Sequence, residues 1–74
     1  MEAIFTDHAA FVMRVVRRMG VHAADVEDVS QETFLVLHRK LDTYDPSRPL
    51  RPFVFGIAAR VAIAHRRKAH VRRE

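Results

Sequence analysis

An all-α fold is expected of this chain: a small three-helix bundle with a long C-terminal helix. Apolar residues recur at spacings of three and four through three separate segments, which is the period of one helical face. No segment alternates apolar and polar residues as a half-buried strand would. The breaks fall between those segments, at Gly20 and in the run DTYDPSRPLRP, which holds all three prolines.

The first helix is expected over residues 7–19, with Thr6 or Asp7 as its N-cap and Gly20 as the residue just past its end. At about 100° per residue, His8, Val12, Val15, Val16 and Met19 form one stripe, while Arg14, Arg17 and Arg18 fall on the other side. The second helix is expected over residues 25–41. Asp25 can cap it, Asp25, Glu27 and Asp28 suit the positive end of its dipole, and Arg39 and Lys40 suit the other end. Val26, Val29, Ser30, Thr33, Phe34, Leu37 and Leu41 make its core face. The third helix is expected over residues 52–72, with Pro52 at its first position. Its inward face is Val54, Ile57, Ala58, Val61, Ala62 and His65. The short connection VHAA favours antiparallel packing of the first two helices.

Seventy-four residues make one domain, residues 1–74, and 49% apolar content is enough for a compact core. There are no cysteines, hence neither disulfides nor thiolate metal sites. No apolar run approaches the roughly 20 residues of a membrane span, and MEAIFTDHAAF lacks the order of a signal peptide. The expected setting is the cytoplasm, with no membrane partner. His8, His22, His38, His65 and His70 show no metal-ligand spacing, and the two glycines cannot form a phosphate loop. Ser30, Ser47 and the threonines have no base in a motif. Neither an enzyme nor a cofactor or metal site is expected.

The net charge of +4 conceals an asymmetry. Residues 1–47 hold five Lys/Arg and eight Asp/Glu, a sum of −3; residues 48–74 hold eight Lys/Arg and one Glu, a sum of +7. The basic end favours a polyanion over a merely solvated helix terminus. Two faces are not needed by the core. On the second helix Asp28, Gln31, Glu32, Leu35, His38 and Arg39 lie together, opposite the core stripe. Leu35 is either an ordinary exposed leucine, or covered by the Ile4-Phe5 segment, or the apolar anchor of a protein-binding face. The acids there argue against phosphate. On the third helix Gly56, Ala59, Arg60, Ile63, Arg66 and Arg67 share the outward face, small residues first and cations after. That suits a nucleic-acid backbone; packing against a neighbour would equally explain Gly56. Tyr44 and Phe53 offer base-stacking surfaces or core plugs, and Arg48 and Arg51 offer phosphate partners.

The stretch DVEDVSQETFLVLHRKLDTYDPSRPLRPFVFGIAARVAIAHRRK resembles region two of bacterial RNA polymerase sigma factors of the extracytoplasmic-function (ECF) group, and the likeness runs from about residue 5 to residue 70. Its most specific elements, in order, are Asp28-x-x-Gln31-Glu32-x-Phe34, the loop Tyr44-Asp45-Pro46-Ser47-Arg48-Pro49, and Arg51-Pro52-Phe53-Val54-Phe55-x-Ile57-Ala58. The resemblance implies a role in transcription initiation. Asp28, Gln31 and Glu32 would contact the coiled coil of the β′ clamp of RNA polymerase core; the helical wheel, reaching the same face independently, adds Leu35, His38 and Arg39 to them. The loop residues Tyr44, Asp45, Pro46, Ser47 and Arg48 would capture a base flipped from the promoter minus-ten element. Arg60, and with it Arg66 and Arg67, would follow the non-template strand of promoter DNA. An anti-sigma factor is an implied partner.

Departures from the family pattern are specific. Trp is usual where Phe53 stands, Asn where Arg60 stands and Asp where Ala64 stands. The helix-turn-helix domain that reads the minus-thirty-five element has no counterpart in this sequence, which is therefore expected to be an excised domain. Two other readings remain at this stage. In one, the chain is a regulatory interaction domain, an anti-sigma docking surface or a degenerate sigma relative without promoter recognition. In the other, it is a basic bundle binding nucleic acid nonspecifically, which would not need the DxxQE pattern.

Overall fold

A computed structural model describes the backbone of residues 2–73 and the side chains of residues 8–69. Three helices, α1 (Glu2–Arg18), α2 (Val26–Lys40) and α3 (Leu50–Arg73), pack on one another in every pairing. One-turn 3₁₀ helices, Ala23–Asp25 and Leu41–Thr43, flank α2, and no strand occurs among the described residues.

The expected stripes are the core. Val12, Val15 and Val16 of α1, Val26, Val29, Phe34 and Leu37 of α2, and Val54, Ile57, Ala58, Val61 and Ala62 of α3 are all buried in one cluster. Thr33, also fully buried, donates its hydroxyl to the Val29 carbonyl at 2.8 Å, so the helix itself satisfies it. His8, Met19, Leu41 and His65, placed on the same faces by the sequence, are only half-buried because they sit at the stripe ends. Val21, beyond the first helix, joins the core.

Gly20 explains that last contact. It has φ of 88°, its N–H donates to the Arg17 carbonyl at 3.0 Å, and the Val21 N–H donates to Val16 at 3.4 Å. This pair of bonds is the Schellman motif, in which a glycine past the helix end reverses the chain. Val21 thereby lands on Val16, and both side chains are buried.

Three boundaries differ from expectation. α1 begins at Glu2, not at residue 7; neither Gly nor Pro interrupts residues 2–7, so nothing stops the helix there. Thr6 and Asp7 therefore lie within α1 and do not cap its start, while Ile4-Phe5 as a cover for Leu35, and His70, lie outside the described side chains. α3 begins at Leu50, so Pro52 falls inside the first turn rather than opening it; the missing N–H costs nothing where no carbonyl awaits it. Asp25 does not cap α2 with its side chain. Its backbone is helical, with φ −103° and ψ −6°, because it closes the preceding 3₁₀ turn. Its carboxylate lies instead 3.3 Å from His65 Nε2 on α3.

At 24 residues and about 1.5 Å per residue, α3 is the longest element. Its end is tied to the other helices at His65, which meets Asp25, and at Arg66, whose Nη1 donates to the Met19 carbonyl at 3.1 Å. The helix continues to Arg73 beyond both ties.

Candidate functional site

On α2, Asp28, Gln31, Glu32, Leu35, His38 and Arg39 lie opposite the core stripe, and every one of them is exposed. They fall within one arc of about 120° at 100° per residue. Leu35, near its middle, is 61% exposed, the highest value among the large apolar side chains that reach solvent. An apolar residue so open, ringed by two acids, an amide and two basic groups, has the make-up of a protein-docking patch. Glu27 and Asp28 in the first turn also sit where the helix dipole favours negative charge.

The connection between α2 and α3 is ordered by its own residues. The Arg48 N–H donates to the Asp45 carbonyl at 3.0 Å, closing a turn with Pro46 second and Ser47 third. Asp45 Oδ1 accepts the Ser47 N–H at 2.9 Å and the Ser47 hydroxyl at 2.7 Å, the side-chain bond that favours Asp at this turn position. Those two bonds, the backbone one first, hold the Asp45 carboxyl below the ordinary aspartate range. Arg48 Nε lies 3.7 Å from Asp45 Oδ2, at a surface where screening leaves such a pair weak. The Tyr44 hydroxyl donates to the Arg48 carbonyl, strapping the turn from its other side. The Tyr44 ring meets Phe53 of α3 at 5.0 Å between centroids and 42° between planes. Phe53 also packs on the core, so it is a plug that carries the tyrosine. Tyr44, Asp45, Pro46, Ser47, Arg48 and Phe53 thus form one preorganised corner.

The expected cations on α3 divide. Arg60 and Arg67 are exposed and two helical turns apart on the outward face, with Gly56 and the 41%-exposed Ile63 between and beside them. A Cβ built on Gly56 would meet nothing within 4 Å, so no neighbour within the bundle requires a glycine there. Arg66 turns away and uses its guanidinium on the end of α1. Arg51 turns the same way, its guanidinium 5.0 Å above the Phe11 ring. Sequence reasoning missed both engagements, and it missed the exposure of Phe55, at 49%; the wheel position of Phe55, between Arg51 and Arg66, was the available signal.

No group of His, Cys, Asp or Glu that could hold a metal ion occurs among the described residues, and no helix there is long and apolar enough to cross a membrane.

Comparison with known proteins adds an independent line. The family described as sigma-70 region 2 matches residues 4–72. An ECF RNA polymerase sigma factor, SigL of Mycobacterium tuberculosis, is 37% identical over 73 residues, covering 97% of this chain and 41% of its own. RNA polymerase sigma factor CnrH of Cupriavidus metallidurans is 38% identical over 50 residues, 68% of this chain and 26% of its own. ECF sigma factor SigF of Caulobacter vibrioides is 36% identical over 56 residues, 76% of this chain and 31% of its own. This chain therefore spans less than half the length of these relatives. No solved structure matches it. With a three-helix bundle, an outward DxxQE face and a family match over nearly the whole sequence, the chain belongs to the sigma-70 region 2 family, in its ECF group.

Proposed function

We propose that this domain is a module of transcription initiation that docks on the β′ clamp of RNA polymerase through α2 and holds the promoter minus-ten element as a single strand through the Asp45 turn and α3. The observation that carries the reading is that Asp28, Gln31, Glu32, Leu35, His38 and Arg39 are all exposed on one face of a helix whose other face is core. In this assignment Asp28, Gln31 and Glu32 supply acceptors and an amide to a basic or mixed coiled-coil surface, while Leu35 fills an apolar notch between its helices. His38 and Arg39 complete the rim.

Strand capture is assigned to the corner of Tyr44, Asp45, Pro46, Ser47, Arg48 and Phe53. Removing a base from the duplex costs a few kcal/mol. A turn already closed by Asp45 and strapped by Tyr44 loses little further entropy on binding, so more of each contact remains to offset that cost. Arg60 and Arg67 then neutralise successive phosphates along α3, while Gly56 and Ala59 let the backbone approach. Arg51 and Arg66, held by Phe11 and Met19, contribute charge at longer range.

The decisive experiment measures affinity for a β′ clamp-helix fragment after Glu32→Lys. Binding is expected to be abolished while the circular dichroism spectrum stays that of the parent, because residue 32 is exposed. Unchanged affinity would refute the docking face. In parallel, the domain is expected to prefer single-stranded minus-ten-like DNA over the same sequence as duplex; equal affinity would remove the melting role.

A further inference from the structure

A third surface lies apart from both assignments, sharing with them only Arg51, whose part in the DNA reading is charge at longer range. Between α1 and α3 runs a groove of about 480 Å³. Its floor is the row Phe11 and Val15 of α1 and Met19 just past its end, each four residues from the next. Arg14 and Arg18 form a second row on the same helix, again one turn apart, and both are exposed. Arg51 and Phe55, one turn apart on α3, form the opposite wall, and Phe55 stands 49% exposed.

Two features of this groove specify what it would take. Among the described residues, all the charged side chains that line it are arginines and none is an acid. Arg51 is already held over the Phe11 ring at 5.0 Å, which leaves the N–H edges of its guanidinium for a carboxylate in the bidentate mode. The apolar rows repeat at the helical period of four, so the complementary shape is another helix with apolar residues at that spacing. Glutamates four residues apart on such a helix lie about 6 Å apart along its axis, the separation of Arg14 from Arg18. A nucleic-acid strand answers the arginines but would leave the apolar floor largely without contacts.

We propose that the groove between α1 and α3 docks an acidic amphipathic helix of a partner protein, independently of the α2 face. The probe is a fluorescein-labelled helical peptide with leucines at i, i+4 and i+7 and glutamates at four-residue spacing beside them. Its counterpart carries lysine at each glutamate position. The acidic peptide is expected to bind the full chain, with amide shifts concentrated at Phe11, Val15 and Phe55. Arg14→Glu combined with Arg18→Glu should weaken it at least about tenfold, since like charges then face each other, and should let the lysine peptide bind instead. Phe55→Ser should weaken it without changing charge. Glu32→Lys should leave it untouched, which separates failure here from failure of the polymerase assignment. Equal binding of both peptides, or shifts lying elsewhere, would overturn the proposal. So would displacement of the acidic peptide by an unstructured single-stranded oligonucleotide, which would make the groove a nucleic-acid site. A concentration-dependent dimer lost on Phe55→Ser, with no peptide bound, would make it a contact between copies of this chain. The charge-reversal exchange of peptides keeps the test decisive, because a misfolded variant would bind neither.

Discussion

Asp45 accepts from Ser47 twice through one carboxylate oxygen and from Arg48 through its carbonyl, so one short side chain fixes the turn on which the proposed base capture depends. The ionised form is the acceptor, and this is why the folded carboxyl lies below the ordinary value. A depressed folded value means that the carboxylate's contribution is fully present above the unfolded value of about 3.9 and lost as pH falls through the lower, folded one. An NMR titration of the Asp45 carboxyl is expected to give a midpoint under the usual aspartate range, moving part of the way back in Ser47→Ala, where the hydroxyl bond is lost and the amide bond remains. An unshifted midpoint in that variant would show that the hydroxyl contributes nothing. Gly20 constrains the backbone in a different way. Its φ of 88° is accessible to glycine, and a Cβ there would meet the Arg66 guanidinium at 3.2 Å. Gly20→Ala is expected to cost about 1–2 kcal/mol, the left-handed penalty for an L-residue, together with displacement of Arg66 from the Met19 carbonyl. Denaturant unfolding measures it, and a loss below a few tenths would mean that the chain end of α1 simply reorganises.

Gly56 poses the opposite problem within α3. It stands in a helix interior with open space about it, so the fold gains nothing from it. Gly56→Ala is expected to stabilise the domain by about 1 kcal/mol, from helix propensity alone, raising Tm by about 4–8 °C for a domain of this size. The same variant should bind minus-ten single strand more weakly, since under the proposed function the glycine admits the strand backbone; a variant both more stable and equally tight would remove that reason for it. The helices themselves were legible in the sequence because burial follows the 3.6-residue period: Leu37, Val54 and Ala58 needed only counting. The α2 face was legible by the same arithmetic, run on what the core leaves over. Other features were not. Asp25 caps a helix in any local reading, yet His65, 40 residues away, takes its carboxylate. Arg66 and Arg51 look like outward or loop cations until α1 is laid beside them. Such engagements depend on how helices are set against each other, which no periodicity encodes.

The whole molecule ties these surfaces to one marginal core. A domain of 74 residues is stabilised by roughly 4–11 kcal/mol at about 0.05–0.15 kcal/mol per residue. Its interior is mostly valine and alanine, so single large side chains carry an unusual share of it. Leu37, fully buried, is the largest of those with no exposed surface. Because α1, α2 and α3 contact one another in every pairing, no helix can lose its packing alone, and unfolding should be all-or-none. Leu37→Ala is expected to cost about 2–5 kcal/mol through lost burial and the cavity left behind, a large part of the total. Under the proposed function, affinity for the clamp fragment and for single-stranded DNA should then fall together, each in proportion to the folded fraction read by circular dichroism at the same temperature. Glu32→Lys, by contrast, should remove the first and spare the second. If Leu37→Ala weakened one partner far more than the other at equal folded fraction, the two surfaces would not share a cooperative core, and the bundle would have to be treated as separable parts.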